Sequence, residues 1–194
     1  DRTFNLPLPG DFNVANAAIV LAYLLASDID LEQACDVLEL VAAPPGRMQR
    51  IAAATATIYI DYAHTPNAIE SALRALRPHC RGNLWCVFGC GGNRDKGKRP
   101  KMGHIAELMA DNVIITDDNP RYEDHKQITN DILMGMNTKP HVIHSRKDAI
   151  AFAVDHSHEN DIILIAGKGH ETYQLVDGHY YPFDDRVIAK ELIN

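Results

Sequence analysis

Asp118-Asn119-Pro120-Arg121 sets a carboxylate, an amide and a guanidinium on one short turn. Pro120 fixes its own φ and drives Asn119 into extended backbone, so the turn is stiff. Asp and Arg held this way suit an amino-acid zwitterion: the carboxylate takes the ammonium, and the guanidinium forks onto the carboxylate. A local ion pair capping the turn accounts for the same residues, because Asp, Asn and Pro are turn formers in their own right. Gly167-Lys168-Gly169-His170-Glu171 brings an imidazole beside another carboxylate. Two such ligands are too few for a zinc site, and orienting a substrate is the better functional reading. Asp61-Tyr62-Ala63-His64-Thr65-Pro66 is a further polar cluster.

The glycine-rich stretch Gly89 to Lys98 is ambiguous. Gly92 to Lys98 keeps the G-x-x-x-x-G-K spacing of a phosphate loop, but Arg99 follows where that loop needs Ser or Thr to hold magnesium. Gly89-x-Gly91 and Gly167-x-Gly169 begin dinucleotide fingerprints and meet Arg94 and Thr172 where the last glycine belongs. A dinucleotide-dependent oxidoreductase is therefore disfavoured. What remains is a basic loop whose backbone amides could hold an anion, or a tight strand-to-helix turn. His141, His144, His156 and His158 have no cysteine partners at metal spacing and read as surface residues.

The elements that must position these clusters follow from periodicity. Asp11 and Asn13 are candidate caps for an apolar helix over 14–26, and a second helix spans 31–42 until Pro44-Pro45-Gly46 stops it. Strands are expected at 57–60, 84–88, 113–116, 141–144 and 162–166, with helices at 66–76, 101–110, 126–136 and 147–156 between them. A hairpin turning at Asp177-Gly178 and a last helix over 185–193 close the chain. Apolar strands alternating with helices predict an α/β fold with a doubly wound, mostly parallel sheet, preceded by two helices. All four polar clusters directly follow a strand, and ligands of such sheets bind beyond the strands' carboxyl ends. A boundary near 44–47 divides residues 1–46 from 47–194.

The chain has 194 residues, 46% of them hydrophobic and 23% charged, which describes a globular protein of one ordinary domain plus a small extra piece. Its formal net charge of −7 argues against nucleic acid or an anionic membrane as partner. No signal peptide and no span-length apolar run is visible. The four cysteines fit neither a disulfide framework nor a zinc site; as free thiols they fit a cytoplasmic location.

Six motifs stand here in one order: Asn13-x-x-Asn16 before an Ala-rich helix, Pro45-Gly46-Arg47-Met48, the Asp61 cluster, the Gly89 to Pro100 loop, Asp118-Asn119-Pro120-Arg121, and the Gly167 cluster. Together they resemble the Mur ligases of peptidoglycan synthesis, and within them the type that adds meso-diaminopimelate. The resemblance covers essentially the whole chain. It implies a three-domain enzyme in which ATP, with Mg2+, phosphorylates the terminal carboxylate of UDP-MurNAc-L-Ala-D-Glu. The amine of diaminopimelate then attacks the acyl phosphate to form the amide.

The resemblance further implies that residues 1–46 are the last helices of the central ATPase domain and 47–194 its Rossmann-like third domain. By matching position, Asn13 and Asn16 face the adenine, Arg47 reaches the phosphates, Asp61 binds the ribose and His64 lies beside the nucleotide. Arg94, Asp118, Asn119, Arg121, Gly167 and Glu171 hold diaminopimelate. Arg121 has a physical reason to mark that substrate, whose second carboxylate lysine lacks. The family opens this domain with two strands, yet 51–57 carries no Gly or Pro turn. No residue here is a convincing nucleophile or base, and the phosphate loop, the magnesium ligands and the sugar-nucleotide domain are expected ahead of Asp1. The chain alone is then expected to be inactive. A non-catalytic amino-acid-binding module is the alternative.

Overall fold

The computed structural model describes residues 2–52 and 56–193. Two helices come first, α1 (Asp11–Ala26) and α2 (Leu31–Glu39). The elements that follow are β1 (Gln49–Ala52), β2 (Ala56–Asp61), α3 (Pro66–Leu76), β3 (Leu84–Phe88), α4 (Lys98–Met109), β4 (Asn112–Ile115) and α5 (His125–Leu133). They continue with β5 (His141–Val142), α6 (Arg146–His156), β6 (Asp161–Ala166), the hairpin β7 (Tyr173–Val176) and β8 (His179–Pro182), and α7 (Asp185–Leu192).

The large sheet runs β1-β2-β6-β3-β4-β5, with β1 antiparallel and every other pairing parallel. Strand β3 shows why the sheet is covered on both sides. Leu84, Cys86 and Phe88 enter one core with Leu73 of α3, Met102 of α4 and Ile132 of α5, while Trp85 and Val87 enter the other with Ile150 of α6 and Ala189 of α7. All five β3 residues are buried, as a period of two with apolar residues on both faces requires. The chain leaves β3 toward α4 on one face and leaves β6 toward α7 on the other. The neighbouring pair β6–β3 is thus a switch point, where a ligand crevice opens beyond the strand ends.

Several sequence expectations are corrected. Neither Asp11 nor Asn13 caps α1: the cap is Gly10, Asp11 is the first helical residue, and the Asn13 amide donates to the Pro9 carbonyl at 2.8 Å. Helix α2 stops at Glu39, not Ala42, because Leu40 N–H turns back to the Val37 carbonyl before the prolines are reached. Helix α4 begins at Lys98, so Pro100 lies in its first turn, where a missing N–H costs nothing. The link between β1 and β2 lies outside the described residues. Helix α1 carries apolar side chains on several sides, and Ile19 and Tyr23 are 69% and 71% exposed.

Candidate functional site

Two clefts flank the Asp61–Tyr62 step at the end of β2. Asp61 faces a pocket of about 530 Å³ that Phe12, Asn13 and Asn16 of α1 share with Arg47, Met48, Ala68 and Ala72. Tyr62 and His64 face a second cleft of about 490 Å³ with Arg94, Lys98, Asp118, Asn119, Arg121, Gly167, Glu171 and Tyr173. All four strand-end clusters contribute to this second cleft, as the strand order demands. It gathers the six residues expected to hold the amino acid. Of the five expected at the nucleotide, four share the first pocket, and His64 lies instead with Arg94. The Arg47 guanidinium sits 4.7 Å over the Tyr62 ring, on the border between the two clefts.

In the first pocket both Asp61 oxygens accept backbone bonds, from Met48 N–H and Ala63 N–H, each at 2.8 Å. Burial pushes its carboxyl above the usual range, and those amides pull it back down. Apolar walls with a fixed carboxylate and two amide side chains suit a nucleoside: a flat base against Phe12, Met48 and Ala72, and hydroxyls on Asp61.

The second cleft is built on Lys168, for which the sequence alone indicates no role. It is fully buried. Its ammonium donates to Asn119 Oδ1 at 2.9 Å and lies 3.4 Å from Glu171 Oε2 and 3.8 Å from Asp118 Oδ1. Asn119 Oδ1 also accepts from Leu175 N–H at 2.9 Å, and its Nδ2 donates to Glu171 Oε2 at 2.9 Å. Asn119 is therefore largely committed to wiring the cleft's floor. Burial pushes the Asp118 carboxyl up and the Lys168 ammonium down, and each charge opposes the shift of the other.

Arg121 is anchored separately. Its backbone sits at φ 56°, its N–H bonds Leu175 O at 2.9 Å, and its carbonyl accepts from Asp177 N–H at 2.6 Å. The turn is thus clamped by the β7–β8 hairpin. The Arg121 Nη1 donates to Gly92 O at 2.9 Å. Among the described residues Asp118 pairs with Lys168, not with Arg121, so the turn-capping ion pair is not what these residues form. Arg94 is exposed at the cleft's mouth, and Lys98 reaches across it to the His64 carbonyl at 2.7 Å.

The glycine loop is not an anion cradle of the phosphate-loop kind. The amides of Gly92, Asn93, Gly97 and Arg99 are already bonded, to Asn119 O, Glu123 Oε2, Asp95 Oδ1 and Lys96 O. A Cβ on Gly92 would fall 1.9 Å from the Pro120 carbonyl oxygen, so glycine is required there for close approach of two turns. Arg99 points inward as a fully buried side chain that forks onto Glu123 and also reaches Asp131, all at 2.8 Å. The loop is a tight strand-to-helix turn locked from beneath.

The remaining sequence assignments divide. Cys86 and Cys90 are buried, and burial pushes both thiols up to about 12, which makes them unreactive. His156 stacks on Phe152 at 3.9 Å. His144 is not a plain surface residue: it bonds Asp117, as does His125. Among the described residues no helix is long and apolar enough to cross a membrane.

A family profile described as Mur ligase, glutamate ligase domain, matches residues 46–169. A Vibrio vulnificus (strain YJ016) protein named UDP-N-acetylmuramoyl-L-alanyl-D-glutamate--2,6-diaminopimelate ligase is 46% identical over 190 residues, which are 96% of this chain and 38% of that protein. A solved structure of a ligase of the same name aligns with a TM-score of 0.79 at 42% identity, over 98% of this chain and 40% of that one. The UDP-N-acetylmuramate-alanine ligase MurC of Thermotoga maritima shares the fold, with a TM-score of 0.71 at 20% identity over 98% of this chain and 39% of that one. The chain thus spans well under half the length of these relatives.

Proposed function

The chain belongs to the Mur ligase family, and from that premise we propose that it is the amino-acid-reading part of a longer, cytoplasmic ligase that joins meso-diaminopimelate to UDP-MurNAc-L-Ala-D-Glu. Residues 1–46 are assigned to the end of the ATPase domain and 47–194 to the domain that receives the amino acid. The exposed apolar residues of α1 support this division, since they match a helix packed against further protein.

The observation that carries the substrate is the cleft's charge pattern. A buried carboxylate at Asp118 and a half-buried one at Glu171 stand inside, with the guanidiniums of Arg121 and Arg94 around them. Diaminopimelate carries two ammonium and two carboxylate groups, so it can use both signs at both ends. Lysine would leave one guanidinium without its anion. Asp118, Glu171 and Gly167 are assigned to ammonium and backbone contacts, Arg121 and Arg94 to carboxylates, and Asn119 to holding Glu171 in place.

ATP is assigned to the Asn13, Asn16, Asp61 and Arg47 pocket. When bound, it supplies the phosphoryl group that activates the acceptor carboxylate. His64 and Arg47 lie where the two clefts meet and are assigned to the boundary between nucleotide and amino acid. No residue of this chain is assigned to Mg2+. The chain's own contribution is positioning: it fixes the incoming amine and strips it of water, and such orientation supplies a large share of a rate enhancement. The UDP-sugar is assigned to the rest of the ligase.

In the longer ligase, Arg121→Lys keeps the charge but loses the fork. It is expected to raise KM for diaminopimelate by about 10-fold or more, the worth of a charge-assisted bidentate contact, with KM for ATP unchanged. Equal losses for both substrates would overturn the assignment.

A further inference from the structure

We propose a transition-metal site at Asp117, His125 and His144, behind the turn that carries Asp118 and Arg121. The residues of that turn divide between two sides. Asp118, Asn119 and Arg121 line the amino-acid cleft, whereas Asp117, Pro120 and Tyr122 line a separate pocket of about 440 Å³ with His125, His144, Glu123, Asp124 and Gln174. The two clefts share no lining residue.

Three different elements deliver the donors. Asp117 follows β4, His125 is the first residue of α5, and His144 follows β5. Backbone bonds fix two of them together: Asp117 N–H and the Thr116 hydroxyl both donate to the His144 carbonyl, each at 3.3 Å. The side chains then converge. His125 Nδ1 and His144 Nδ1 each lie 2.9 Å from a different oxygen of Asp117, and their ring centroids are 4.3 Å apart with the planes tilted by 34°. The ligand atoms all fall within 4.8 Å of one another. Bonds of about 2.0–2.2 Å from a shared ion need ligands no more than about 4.4 Å apart, so small side-chain rotations close the site.

Two imidazoles and one carboxylate select zinc, nickel, cobalt or copper over magnesium or calcium. This chemistry separates the site from the magnesium of the ligase reaction. The ion takes the place of the protons shared at Nδ1, and each neutral imidazole then carries its proton on Nε2. The imidazoles are 41% and 34% exposed, so an ion can enter, and the pocket leaves a coordination position open. Bound there, the metal ties β4, α5 and the β5–α6 connection together directly behind Asp118.

Calorimetry on the chelator-treated chain is expected to show saturable 1:1 Zn2+ binding that excess Mg2+ does not displace. His125→Ala and His144→Ala should each weaken it by about tenfold or more, while His141→Ala and Cys80→Ser leave it unchanged. No binding by the parent chain, or equal binding by the His125→Ala/His144→Ala double variant, overturns the proposal. Should those variants fail to fold, Co2+ added to the parent chain must broaden the NMR resonances of His125 and His144 first. Broadening centred on other residues overturns it equally.

Discussion

Lys168 and Asn119, 49 positions apart, meet through a 2.9 Å bond from the ammonium to the amide oxygen in a place where the lysine has no exposed surface. That bond joins the loop after β6 to the turn after β4. It also brings one buried cation between the Asp118 and Glu171 carboxylates.

The first prediction follows from removing that cation. Lys168→Met keeps most of the volume and takes from Asp118 and Glu171 the cation they share, leaving Arg146, itself paired with Asp185, as the other buried positive charge that acts on them. Breaking a buried pair from one side costs about 3–5 kcal/mol, because the remaining charge stays desolvated. Urea unfolding at neutral pH should read a loss of that size. The loss should shrink as pH falls, because Asp118, already pushed up by burial, takes a proton readily once Lys168 is gone. A loss under about 1 kcal/mol at neutral pH, the scale of an exposed pair, would show that Lys168 does not hold the cleft.

Arg99 and Glu123 give a pH dependence of defined sign. The Arg99 guanidinium, bonding both Glu123 oxygens, holds that carboxyl well below the usual glutamate range, with help from Lys96 and Asn93 N–H. Its folded-state pKa is depressed, so the contribution is fully present above the ordinary value near 4.5. It is lost as pH falls from there toward the folded-state value. Glu123→Gln should therefore cost about 1.5–3 kcal/mol at neutral pH, and the parent and variant stability curves should converge in acid. Parallel curves across that range would remove Arg99 and Glu123 from the acid response.

How much of this was legible in the sequence depends on how local each signal is. Helix α3 runs from Pro66 to Leu76 as the sequence predicts, because Thr65 accepts from Ala68 N–H and Pro66 opens the first turn. The hairpin turn was equally legible: Asp177 and Gly178 both take positive φ, which the Asp-Gly pair favours. The strand-end position of four polar clusters foretold one composite cleft, since a parallel sheet leaves them no other rim. What the sequence hid is long-range. Nothing near Lys168 says that it is buried, because two of its three partners, Asn119 and Asp118, lie on another strand's turn. Arg99 reads as a failed magnesium position until Glu123 and Asp131 are seen beneath it. His144 reads as a surface residue and His125 carries no signal, because their shared partner is a carboxylate, not a cysteine. Strand β1 was missed by periodicity because Gln49 and Arg50 interrupt its apolar pattern at the sheet's edge.

The last prediction concerns Gly46, the glycine that follows the two prolines after α2. It takes φ 67°, and a Cβ there would fall 2.1 Å from the Gly169 carbonyl carbon and 2.2 Å from His170 N. The loop that carries Lys168 and Glu171 therefore rests directly on the segment joining α2 to β1. Gly46→Ala is strained in φ and clashes with backbone, which cannot rotate away as a side chain can. The two penalties together are about 2–4 kcal/mol. Gly97 supplies the control: it is exposed, its φ is −64°, and its nearest neighbour to a Cβ is Asp95 Oδ1 at 3.2 Å. Gly97→Ala should change stability by no more than about 0.5 kcal/mol. Because the displaced loop bears Glu171, Gly46→Ala should also weaken diaminopimelate binding in calorimetry, and Gly97→Ala should not. If the two variants unfold at the same urea concentration, the Gly46–Gly169 contact does not support the cleft.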